Sequence, residues 1–333
     1  GNKTGETKFS VRVSNMPAGG SVRWSVPPSN SGDFIIKNGP AVIVGESVTV
    51  QGIKPGLSNI DVEVRDVNDT VVQSMKLPLS IPQFVTIRED AAAFDQVLAD
   101  LSLTALKNDL ISKTKVVCDA LLVDANVRTI WQLGSFTEVT PAHIPANMIT
   151  VATIKNRLAA GNRTFGQTNQ APGEVGNIVP NRTIDVFPGA YDEPMGGGAF
   201  SDTELDTETQ ALMIQLESQG VGGDPALESF AVDVYGRLIG ETLAHEIVHA
   251  LLWDIVIQDG HNDPSINNDI MNSGSQRTFT QRTGFVDDAH QSPVVPANFS
   301  DNGIAAINRL QALNLSRMDA NFPVPGTRVS AFK

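Results

Sequence analysis

The sequence predicts two domains of different class, an all-β sandwich over residues 1–86 followed by an α+β domain over residues 87–333. Three observations predict this. The chain has 333 residues, which suits two domains at ~100–200 residues each. Up to about Ile87, short β-branched runs alternate between apolar and polar residues. After Arg88, apolar residues recur instead at three- and four-residue steps.

In the first part, the alternating runs are Phe9–Val13, Ser21–Val26, Val48–Gly52, Ile60–Val64 and Val71–Leu79. Period-2 alternation puts one set of side chains on a buried face and the other in solvent. Turn signals lie between the runs at Pro17-Ala-Gly-Gly, Pro27-Pro28, Asn38-Gly39 and Lys54-Pro-Gly56, so the expected form is an immunoglobulin-like β-sandwich. The stretch Val48–Val64, a strand, a Gly-containing turn and a second strand, resembles the bacterial immunoglobulin-like modules strung along secreted and cell-surface proteins. That resemblance implies a spacer.

In the second part, Phe94, Val97, Leu98, Leu101, Leu106, Leu110 and Ile111 keep helical spacing. Val116–Leu122 and Val127–Leu133 suit either a strand or a buried helix, and Thr183–Phe187 reads as a strand. Residues 159–181 are rich in Gly, Asn, Thr and Gln, lack periodicity and read as a long surface loop. From Phe230 onward, Val234, Leu238, Thr242, His245, His249 and Leu252 again fall at helical steps.

The charge balance narrows the partners. Asp and Glu number 37 against 24 Lys and Arg, a formal charge of −13 that repels phosphate backbones and anionic lipid, so nucleic acid is excluded as a partner. No run of about 18 apolar residues is present, so no membrane span is expected. Cys118 is the only cysteine, which rules out an intrachain disulfide. It lies in the apolar run Val116–Leu122 and reads as a buried core thiol.

Chemistry concentrates in Gly240-Glu-Thr-Leu-Ala-His-Glu-Ile-Val-His249. His245 and His249 are four residues apart on a helix, which stacks the imidazoles one turn above the other and lets both reach one metal ion. Zn²⁺ bound by three protein groups keeps a position open for water and makes that water acidic near neutral pH. Glu246, beside the first ligand, then serves as general base. A third ligand must come from elsewhere. No glutamate follows Glu246, so the candidates are His261, His290 and several aspartates.

His261 lies in Asp259-Gly-His-Asn-Asp-Pro264, followed by Asn268-Asp-Ile-Met271. With the His-Glu-x-x-His motif, these elements resemble the metzincin zinc peptidases, matrixin-like members in particular. The resemblance covers residues 241–274. It implies a zincin-type α+β domain in which His245, His249 and His261 bind zinc, Glu246 is the base and Met271 forms the turn beneath the metal. The chain departs from the family pattern in one respect: His261 stands twelve positions after His249, where the family has six, and Leu252 replaces the family glycine. A helix running on to about Ile257 and turning at Asp259-Gly260 absorbs the extra residues. No Tyr follows Met271, so the transition-state donor some members place there is missing.

His290 is the second choice, as third ligand or as a donor to the oxyanion, and otherwise a surface histidine. Asp259, Asp263 and Asp269 offer oxygen ligands for Ca²⁺, or cap turns in a solvated loop. The expected function is therefore a zinc-dependent endopeptidase acting on protein or peptide substrates. Its rival is a surface-displayed binding module with an inactive or structural zinc site. Both resemblances imply an extracellular, cell-surface or periplasmic setting, and nothing in the chain addresses its oligomeric state.

Overall fold

The computed structural model describes residues 6–252, except 31–33, 38, 54–55, 91, 101–102, 123–126, 141, 143–148, 157–163, 169–182, 192–220 and 222. Seven strands come first: β1 (Glu6–Ser10), β2 (Ser21–Ser25), β3 (Phe34–Ile36), β4 (Val42–Val44), β5 (Ser47–Gly52), β6 (Gly56–Arg65) and β7 (Val71–Ile81). They form two antiparallel sheets, ordered β1-β5-β3 and β4-β2-β6-β7. In β2 and β5 every second residue is buried, as an alternating sequence requires of a sheet with one wet face. Phe34, Ile36, Val48 and Val50 of the first sheet meet Val22, Trp24, Ile60, Val62, Leu79 and Ile81 of the second in one apolar core. The Trp24 indole N–H is satisfied there by donating to the Gly45 carbonyl at 2.7 Å.

A six-stranded sheet follows, ordered β10-β9-β8-β11-β13-β12. Its strands are β8 (Gln83–Glu89), β9 (Val127–Leu133), β10 (Phe136–Thr137), β11 (Ile149–Ile154), β12 (Gly166–Thr168) and β13 (Thr183–Val186). The central four, β9, β8, β11 and β13, run parallel, and the edge strands β10 and β12 are antiparallel. Gln83 to Ile87 are all buried, the continuous burial expected of a parallel strand covered on both faces. Helices α1 (Ala93–Asp100) and α2 (Lys107–Leu122) fill the crossover from β8 to β9. Helix α3 (Pro225–Leu252) packs against α2, β12 and β13.

The fold class expected from the sequence is therefore corrected. In place of a sandwich followed by an α+β zincin domain, the described chain is mixed α/β, with three sheets and one main helical region. A zincin domain is not shown among the described residues. The physical reason is the parallel pairing of β8 with both β9 and β11. Parallel neighbours need a crossover of a dozen or more residues, so helices and strands interleave along the chain instead of segregating. The ambiguous apolar runs resolve in opposite senses, residues 116–122 as the end of α2 and Val127–Leu133 as β9.

Helix α3 carries the candidate site, and its sequence explains both its start and its position. Asp224 precedes it and accepts the Ala226 N–H at 2.9 Å, and Pro225 occupies the first helical position, where its missing N–H costs nothing. Gly236 and Gly240, one turn apart, let α2 come close. A Cβ on Gly240 would lie 2.6 Å from the Thr114 carbonyl oxygen and 2.9 Å from Val117 Cβ, and one on Gly236 would collide with the Lys113 side chain. An ion pair from Lys113 on α2 to Asp233 on α3 spans the same contact. Gly240→Val is therefore expected to destabilise the chain by about 1–3 kcal/mol or more through overpacking. It would be read as a lower urea midpoint with an unchanged slope.

Candidate functional site

Helix α3 differs from an ordinary amphipathic helix in the half that bears the motif. From Leu238 to Ala250 every residue is buried except His245, which is partly exposed. The apolar residues around the motif therefore do not mark one face. Leu243, Ala244, Ile247 and Val248 join the main core together with α1, α2 and the parallel strands. The motif stands on a helix enclosed by protein, with His245 at its margin.

The two histidines converge. Their Nε2 atoms are 2.9 Å apart, with ring centroids separated by 4.4 Å and ring planes at 87°. Two imidazole nitrogens on one tetrahedral zinc, each 2.0–2.1 Å from the metal, stand about 3.3 Å apart. Opening the pair by a few tenths of an ångström would give that separation, so by distance the two nitrogens fit two corners of a zinc site. Without a metal, the same approach is an N–H···N hydrogen bond between the two rings.

Glu246 lies against the edge strand β12. The Thr168 hydroxyl is 2.8 Å from Glu246 Oε2 and 2.9 Å from the Glu246 backbone carbonyl oxygen. Two residues earlier on the same strand face, Gly166 admits the glutamate stem. A Cβ at that position would lie 2.6 Å from Glu246 Cγ, 2.8 Å from its Oε1 and 2.9 Å from Thr242 Cγ2. On the neighbouring strand β13, Asp185 is buried. One of its oxygens pairs with Lys155 Nζ at 3.0 Å, and the other has no hydrogen-bond partner among the described residues. Burial chiefly, and repulsion from Asp185, push the Glu246 carboxyl up to about 7 against the opposing hydrogen bond from Thr168. A carboxyl that exchanges a proton near neutrality is suited to general acid–base work.

Of the residues singled out from the sequence, His245, Glu246 and His249 all lie on α3; the two imidazoles meet, and the Glu246 carboxyl is held against β12. His261, Met271 and His290 lie outside the described residues, as do Asp259, Asp263 and Asp269. Among the described residues, no group of three or more His, Cys, Asp or Glu side chains is placed to hold a metal ion. Cys118 is fully buried in the core, and burial pushes its thiol well above its usual value. Sequence reasoning missed Gly166, Thr168 and Asp185. The only available signal was Thr183–Phe187, a strand whose interior carries an aspartate.

No helix among the described residues is long and apolar enough to cross a membrane. Comparison of the chain with protein-family models, with curated proteins and with solved structures finds no match.

Proposed function

We propose that the chain is a zinc-dependent endopeptidase. The observation that carries this reading is the convergence of His245 and His249 at 2.9 Å on a buried helix, with Glu246 next to His245 in the sequence. His245 and His249 would hold the metal, and His261 would complete the set. Zinc, when bound, supplies a Lewis acid that lets water react near neutral pH. Glu246 accepts a proton from the attacking water as its oxygen bonds to the peptide carbonyl carbon. It then returns that proton to the amide nitrogen as the C–N bond breaks. The enclosing apolar residues keep bulk water from competing for the glutamate and strengthen each charge interaction within.

The test is mapping of new termini by mass spectrometry after incubation with a proteome-derived peptide mixture. Cleavage is expected from the zinc-loaded chain, to disappear after treatment with a chelator, and to return on addition of zinc. Cleavage that ignores the chelator would overturn the metal's part. Absence of cleavage by a chain shown to contain zinc would overturn the peptidase reading in favour of a binding module.

A further inference from the structure

We infer that Thr168 is a positioning residue for Glu246, an inference that rests on Glu246 being the base. Three features of the contact carry it. The threonine is 78 residues away in sequence yet places its one hydroxyl within 2.8 Å of the carboxylate and 2.9 Å of the same residue's backbone carbonyl. A single side chain thus engages both ends of the glutamate. Gly166 and Thr168 are two apart on one strand, so they share a face, the face that meets α3. Glycine there gives the glutamate stem room and threonine grips its end. Finally, β12 is fixed in register, Gln167 opposite Asp185 and Thr168 opposite Ile184, so the grip is anchored to the sheet and not to a loop tip.

A glutamate has three side-chain torsions to order before its carboxylate can meet a reacting proton. The Thr168 hydroxyl donates to Oε2 and orders them. Oε1 is left to take the proton from the attacking water and to give it to the departing amide nitrogen, while the bond from Thr168 to Oε2 persists throughout. Thr168 exchanges no proton of its own. It acts only through Glu246, and loss of its hydroxyl lowers the rate of the chemical step without touching the metal.

The experiment compares Thr168→Val, which keeps the shape and removes the hydroxyl, with Thr168→Ser, which keeps the hydroxyl, in the full zinc-loaded chain. Val is expected to lower kcat by about 10- to 100-fold with KM and zinc content unchanged, and Ser to recover kcat to within about threefold of wild type. Independently of activity, urea unfolding of the chelator-treated chain at pH 8 gives a double-mutant cycle of Thr168→Val with Glu246→Met. The cycle is expected to show a coupling of about tenfold in the unfolding equilibrium constant. Additive effects in the cycle, or a Val variant with wild-type kcat, overturn the inference while the peptidase reading stands. Coupling in the cycle beside a wild-type chain that hydrolyses nothing overturns it through the reading beneath it.

Discussion

Glu246→Gln is expected to slow peptide hydrolysis by about 10²- to 10⁴-fold while zinc stays bound, because a general base typically contributes that much to a rate. Glutamine keeps the volume and can still accept from Thr168, but it has no oxygen that can take a proton from water. Initial rates on a cleaved peptide, with zinc measured in the same samples, check both halves. Undiminished hydrolysis by the glutamine variant would remove Glu246 from the chemistry. The same substitution carries a second expectation for the metal-free chain. Because the folded carboxyl titrates near 7 and not near its usual 4.5, the folded state retains a proton that the unfolded state releases between those values. The contribution of Glu246 to stability is therefore full below about pH 4.5, falls as pH rises through the window to about 7, and is lost above it. At roughly 1.4 kcal/mol for each unit, the loss is about 3 kcal/mol. Glu246→Gln has no such loss, so chelator-treated wild type and variant should diverge in urea midpoint across this window, the variant being the more stable at pH 8.

His249→Ala is expected to reduce zinc affinity by orders of magnitude. It removes one of two nitrogens that already converge, and it does so at a buried position where no side chain from solvent can substitute. His261→Ala should have an effect of the same kind, and His290→Ala should not. Competition against a chromophoric chelator gives the three affinities on one scale. If His290 proved essential and His261 dispensable, the assignment of the third ligand would pass to His290, while the roles of His245 and His249 would stand.

The candidate site was legible where residues close in sequence are also close in space. A helix turn brings positions four apart together, so the sequence alone placed His245 over His249. The partners of Glu246 were hidden for the opposite reason. Thr168 reaches it across 78 residues, from a three-residue strand inside a stretch whose Gly, Asn, Thr and Gln content reads as loop. Edge strands this short carry no alternation to detect, and glycine, which weakens strand propensity, is here what lets strand and helix meet. The apolar steps begin only at Phe230, so the start of α3 at Pro225, capped by Asp224, was not read from the sequence. The interleaved topology was not legible. A parallel strand buried on both faces loses the period of two, and Val127–Leu133 then looks like any apolar run. The alternating strands β2 and β5 kept that period because one face of each is less buried than the other.

The close seating of α3 against α2 at Gly236 and Gly240, and its burial on nearly every side from Leu238 to Ala250, bear on how the chain would acquire its metal. A flexible peptide that wraps an ion must order its ligands at the moment of capture, and that ordering weakens the affinity. Here the backbone beneath His245 and His249 is already immobilised by the hydrophobic core, so the entropy of bringing the two imidazoles together is surrendered when the chain folds. Metal capture at this pair would then be a docking event and not a folding event. The exposed side of His245 would be its point of entry.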